Sequence, residues 1–207
     1  MARITIFLGA FLAFLIQPLV GNTLLPAFGG AASVWNWCLA GFQILLVAGY
    51  FYAHRVTSER FCPGLHCSLV ALGALGLFAV AFGLRSPWAV IPHAAFAYVM
   101  LSANSSLVQV LAGGRYSLYS VSNIGSFAGL FAYPLIFEPL LPLRWQWTAA
   151  AAMSVAYLVL LFRLARISEE VRGKSEELRW SAKIAARKAS ADPVSDGMQN
   201  GVGGLDG

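Results

Sequence analysis

The stretch GGAASVWNWCLAGFQILLVAGYFYAH (Gly29–His54) contains no Asp, Glu, Lys or Arg. At the 1.5 Å rise of an α-helix, about 20 such residues cross the roughly 30 Å hydrocarbon core of a bilayer. The stretch therefore reads as a membrane-spanning helix, and the rest of the chain extends that reading. Of its 207 residues, 58% are hydrophobic and 11% charged, against about 25% charged in an ordinary soluble domain. Glu59 is the one carboxylate before Glu138, and the other seven lie from Glu169 onward. So little charge over so long a segment excludes a soluble fold.

Six apolar runs reach spanning length: Ile4–Leu25, Val34–Tyr52, Cys67–Leu84, Trp88–Leu111, Leu118–Phe137 and Trp145–Leu164. Gln17-Pro18 interrupts the first, where proline favours a kink. Arg3 ahead of an apolar stretch is also how a signal peptide begins, but no convincing small-x-small cleavage site follows, so the segment is expected to be retained. The expected fold is all-α: a multi-pass transmembrane helical bundle of about six spans over residues 1–164. A charged helix is expected over 165–190, because Ile167, Val171, Leu178 and Ala185 fall near one stripe of "ARISEEVRGKSEELRWSAKIAARKAS". From 191 to 207 the Pro, Gly and Asp content is that of a disordered tail.

Basic residues set the expected orientation. With the N-terminus inside, every Lys and Arg except Arg85 and Arg144 lies on the cytoplasmic side. Positive residues resist translocation, so both termini are expected in the cytoplasm. The net charge of +5 then reflects topology and attraction to anionic headgroups, and no nucleic-acid partner is implied.

Chemistry is sparse. His54, Cys62, His66 and Cys67 are zinc-binding residue types, but their spacing matches no familiar ligand set, and no metal is expected. Cys38 lies within a span and Cys62 and Cys67 at a cytoplasmic connection, where thiols stay reduced. "GVGGLDG" has neither the strand before it nor the helix after it that a phosphate loop requires. Glu169-Glu170 and Glu176-Glu177 read as a solvated helix face. Glu138 is expected to pair with Arg144 or to meet headgroups. No cofactor and no catalysis are expected.

What remains is a set of uncharged polar residues inside the spans. Trp35 and Trp37 suit an aromatic belt at the outer end of the second span. Asn36 and Gln43, seven residues apart on one helix face, need partners within the protein and are expected to face the bundle interior. Ser102, Ser105 and Gln109 share a face of the fourth span with Asn104 beside them. Tyr116, Tyr119, Asn123 and Ser126 do the same on the fifth. Ser122, Gly125 and Gly129 form a small-residue stripe for close helix packing. These groups either glue the bundle together or line a cavity for a small molecule, and the absence of ionisable side chains among them argues against ion-coupled transport.

Two clusters carry a family likeness. The first runs through Gln17-Pro18, Pro26, Gly29-Gly30, Val34-Trp35-Asn36, Cys38-Leu39, Phe42-Gln43, Gly49-Tyr50 and Tyr52-Ala53-His54. The second runs through Tyr119, Ser122-Asn123, Gly125-Ser126, Tyr133-Pro134 and Glu138-Pro139. Together they resemble the membrane half of bacterial fused membrane/spermidine-synthase-like proteins, over nearly all of Phe11–Phe162. Asn22 stands where that family usually has a lysine, and nothing after Leu164 could form its nucleoside-cofactor-binding synthase domain. The resemblance implies a non-catalytic module of the bacterial cytoplasmic membrane, anchoring or serving a separately encoded, polyamine-related soluble enzyme. Three further readings stay open: a transporter or exporter subunit, self-association, and an accessory subunit of a larger membrane complex. The likeness also gives Trp35, Asn36 and Gln43 a packed or ligand-lining role.

Overall fold

The computed structural model describes residues 1–58, 62–84, 86–113 and 116–191, so Glu59, Arg60, Arg85, Arg115 and the expected tail beyond Ala191 lie outside the described residues. The described residues are helical with short connections. Helix α1 covers Ala2–Leu24, α2 Ala32–Ser58, α3 Pro63–Phe82, α4 Pro87–Ser102 and α5 Asn104–Leu111. Helix α6 covers Ser117–Ala132 and passes through a π-helical turn, Tyr133–Phe137, into the short α7, Glu138–Leu140. The last helix, α8, runs from Leu143 to Ala191. Six helical stretches are long and apolar enough to cross a membrane: Ala2–Leu24, Ala32–Thr57, Pro63–Phe82, Pro87–Leu111, Ser117–Leu140 and Leu143–Lys188. This is a multi-pass membrane protein.

The chain divides into two units, Met1–Arg166 and the segment from Ile167 onward. In the first unit α1 is the central helix. It packs most extensively on α6 and also meets α2, α4 and α5. Pro18 stays within α1, so the expected interruption does not end the helix. Small residues explain the closest packing. A Cβ on Gly125 would lie 2.5 Å from the Phe7 carbonyl oxygen, and one on Gly129 would overlap the Phe11 carbonyl. Glycine at both positions lets the two backbones touch, which is how helices gain van der Waals contact where no hydrophobic drive separates protein from lipid.

Hydrogen bonds then pin α1 to its neighbours. Gln17 Nε2 donates to the Tyr98 hydroxyl (3.0 Å), Asn22 Nδ2 to the Tyr133 hydroxyl (2.7 Å), and Trp147 Nε1 to the Thr23 hydroxyl (3.1 Å). Asn104 Nδ2 donates to the Ile6 carbonyl (3.2 Å) while its Oδ1 accepts from the Tyr157 hydroxyl (2.8 Å). These bonds tie α1 to α4, α5, the π turn and α8. Without water to compete, each buried polar group has to be satisfied inside the protein.

In the second unit the helix is charged and exposed, with a Lys174–Glu170 pair at 2.8 Å one turn apart. Ile167, Val171, Leu178 and Trp180 are exposed on it. Glu138 and Arg144 are both exposed and form no ion pair with each other. Of the two roles expected for Glu138, exposure at the end of a span fits the headgroup contact.

Candidate functional site

The bundle carries a polar cavity of about 320 Å³ bounded by α1, α2, α4, α5 and α6. Its polar lining comes from Tyr50, Tyr98, Ser102, Asn104, Ser105, Ser106, Tyr119, Ser122, Asn123 and Ser126, with Ala10, Ala13 and Phe14 of α1 as an apolar wall. Among the described residues, no Asp, Glu, Lys, Arg or His lines it. Tyr50 on α2 and Tyr119 on α6 are 48% and 49% exposed. The cavity is therefore open between those two helices.

Local structure concentrates polarity there. Helices α4 and α5 meet at Ala103, whose backbone stays right-handed helical (φ −68°, ψ −16°) and is bonded on both sides, Ala103 N–H to Val99 O (3.3 Å) and Leu107 N–H to Ala103 O (3.1 Å), so the cavity-lining Asn104, Ser105 and Ser106 follow directly on Tyr98–Ser102 in one span. By the helical rise of 1.5 Å per residue, Ala103 sits about 12 Å from the Leu111 end of this span.

The polar groups sort into two classes. Asn104, Tyr98, Ser102 and Ser126 are already bonded: Asn104 to Ile6 and Tyr157, Tyr98 to Gln17, Ser102 Oγ to the Val99 carbonyl (2.9 Å), and Ser126 Oγ to the Ser122 carbonyl (3.1 Å). By contrast, the side chains of Tyr50, Ser105, Ser106, Tyr119, Ser122 and Asn123 make no hydrogen bond among the described residues. The first class holds the walls in place. The second is free to bind an occupant.

No protein-family profile, curated protein or solved structure matches this chain. The site has to be read from its own geometry.

The residues singled out in the sequence divide accordingly. Asn104, Tyr119, Ser122, Asn123 and Ser126 meet at the cavity, and Gly125 and Gly129 lie against α1. Gln109, a turn beyond Ser105, is buried with its Nε2 unpartnered, but it does not line the cavity. Asn36 and Gln43 require a correction: both are exposed and neither lines the cavity. The buried stripe of α2 is one residue earlier. Trp35 packs where Gly21 has no side chain, Phe42 meets the Tyr98 ring with centroids 5.1 Å apart, and a Cβ on Gly49 would overlap Ser102. One residue is a 100° turn, so burying that stripe rotates Asn36 and Gln43 outward. Asn123 is likewise exposed, yet it borders the cavity.

Tyr50, Tyr98 and Ser106 are site residues that the sequence reading passed over. Their signal was a tyrosine or hydroxyl within an apolar run, where each such group needs a partner or a cavity. A larger groove of about 470 Å³ lies between α1, α2 and α4, lined by apolar residues such as Val20, Leu24, Phe42 and Ile91. It lacks polar groups to fix a ligand, and lipid chains suffice to fill it. His66, considered above for zinc, instead stacks on Tyr52, whose hydroxyl lies 3.1 Å from its Nδ1.

Proposed function

We propose that this chain is a non-catalytic membrane module that holds a small polar molecule of low charge in the cavity between α2 and α6. The observation that supports it is the set of unbonded hydroxyls and amide on Tyr50, Ser105, Ser106, Tyr119, Ser122 and Asn123, beside walls whose own polar groups are satisfied. A site of this composition binds through mixed donors and acceptors, with no carboxylate, imidazole or amine among its described lining residues. Tyrosine rings at the opening also accept a single cationic group.

Asn123→Leu tests this reading. The Asn123 side chain makes no hydrogen bond among the described residues, so the variant is expected to insert and melt within a degree or two of the parent. Its ligand binding should be lost. The check is thermal shift of the purified full chain against a panel of polyamines, zwitterionic amino acids and neutral polyols. A ligand that stabilises both proteins equally, or a variant that no longer assembles, contradicts the assignment.

The module is placed in the bacterial cytoplasmic membrane with both termini inside. The distribution of Lys and Arg supports the orientation. Cys62, exposed at the start of α3, should then resist an impermeant thiol reagent in intact cells and react after the membrane is opened. Labelling from outside would reverse the topology. A soluble, polyamine-related enzyme as partner rests on the family likeness of Gln17–His54 and Tyr119–Pro139. The exposed apolar residues of the helix beyond Ile167 are a surface that such a partner or the headgroup layer could cover. Transport by an oligomer of this chain is the second reading, favoured by a polar cavity lying among the spans, and substrate-dependent uptake into vesicles separates it from simple binding.

A further inference from the structure

Helix α2 is anomalous among the spans. In its most apolar window 11% of residues are buried, against 61% for α1. Its outward face is not simply lipophilic, because it carries Asn36 and Gln43 at heptad spacing with Ala40 and Val47 between and after them, all four exposed. Gln43 lies 11 residues after Ala32 and 14 before Thr57 in this span, roughly 16 and 21 Å from its two ends by the helical rise. That is mid-bilayer, beyond the reach of headgroups. Gln43 makes no hydrogen bond among the described residues, whereas Gln17, Asn22, Asn104 and Gln146 each do. Lipid cannot satisfy it.

We propose that this face of α2 is a homodimer seam, in which Asn36 and Gln43 of one protomer bond Asn36 and Gln43 of its partner across a two-fold axis normal to the membrane. The occupant follows from chemistry and symmetry. Two copies inserted by the same rule have parallel α2 helices, and a two-fold axis sets each residue against its own counterpart at equal depth. A carboxamide is both donor and acceptor, so it is complementary to itself, as no charged residue is. The spacing Asn36, Ala40, Gln43, Val47 is the i, i+4, i+7, i+11 pattern of a two-helix seam, with small Ala40 allowing close approach between the amides. A single polar residue on such a seam fixes register.

The test uses the full chain with Cys38, Cys62 and Cys67 replaced, reconstituted in liposomes at high lipid-to-protein ratio. Gln43→Cys and Asn36→Cys are expected to form disulfide-linked dimers on mild oxidation. Ile124→Cys and Phe127→Cys, on the equally exposed face of α6, are not. In parallel, fluorescence transfer between labelled copies should show Gln43→Leu weakening self-association about tenfold and Gln43→Asn largely restoring it. Leucine suits a lipid-facing position, so this arm reads association even if the cysteine variant fails to insert. Monomers throughout, crosslinking as efficient at Ile124 or Phe127 as at Gln43, or unchanged association of Gln43→Leu would overturn the proposal. A Gln43→Cys product in native membranes that joins a different protein in place of a second copy would overturn it as well.

Discussion

Gly129→Ala is expected to destabilise the bundle by about 2 kcal/mol, the usual range for forcing extra volume into a packed contact. The sign is informative, since alanine is the better helix former by about 1 kcal/mol. The new methyl would meet the Phe11 carbonyl of α1, a backbone atom that cannot move aside. Gly41 supplies the control: a Cβ there meets nothing within 4 Å, so Gly41→Ala should be neutral or slightly stabilising. The double variant Gly125→Leu/Gly129→Leu should separate α1 from α6 and abolish a cooperative melt. Reversible unfolding in detergent, followed by circular dichroism, measures all three. A Gly129→Ala variant as stable as Gly41→Ala would mean that α1 and α6 are not in backbone contact.

The second large effect is expected for Asn104→Leu. The substitution removes a bond to the Ile6 carbonyl and leaves the Tyr157 hydroxyl, itself fully buried, without its acceptor. Stranding a buried polar group costs about 1–3 kcal/mol, while single hydrogen bonds in membrane proteins average about 0.6 kcal/mol. With two bonds lost and the Tyr157 hydroxyl stranded, a loss of about 2 kcal/mol is expected. Tyr157→Phe on the Asn104→Leu background should recover part of it by removing the stranded hydroxyl. Additive losses from the two changes would show that the pair is not coupled. This contrast with Asn123, whose replacement should leave stability intact, separates the amides that hold the bundle from those that face the cavity.

The spans were legible in the sequence because one property, the length of uncharged apolar runs, decides them. Even the first, with Pro18 inside it, forms a helix of 23 residues. Helix faces were harder to read. Asn36 and Gln43 share a face by spacing alone, but so do Trp35, Phe42 and Gly49, one residue earlier. Spacing cannot choose between two stripes of equal period. The choice is made by where Gly49 fits Ser102 and Phe42 fits Tyr98. The hydroxyl stripe on the fifth span was easier, because Ser122 and Ser126 sit beside the glycines that bring α6 onto α1. Tyr50 and Tyr98 were hidden because a tyrosine in an apolar run adds to hydrophobicity while its hydroxyl does the site's work.

Water-soluble thiol modification of Ser105→Cys, in a chain whose native cysteines are replaced, tests the central claim most directly. Ser105 lies at the start of α5, lines the cavity and makes no side-chain hydrogen bond among the described residues. If the cavity is an open polar binding site, a small charged methanethiosulfonate should label this position readily in the folded protein, and a bound ligand should protect it. Leu107, fully buried two residues further along α5, is the reference, and Leu107→Cys should stay inert. A Ser105→Cys thiol as unreactive as that of Leu107→Cys would show that water does not enter, and that these polar residues only hold the helices together.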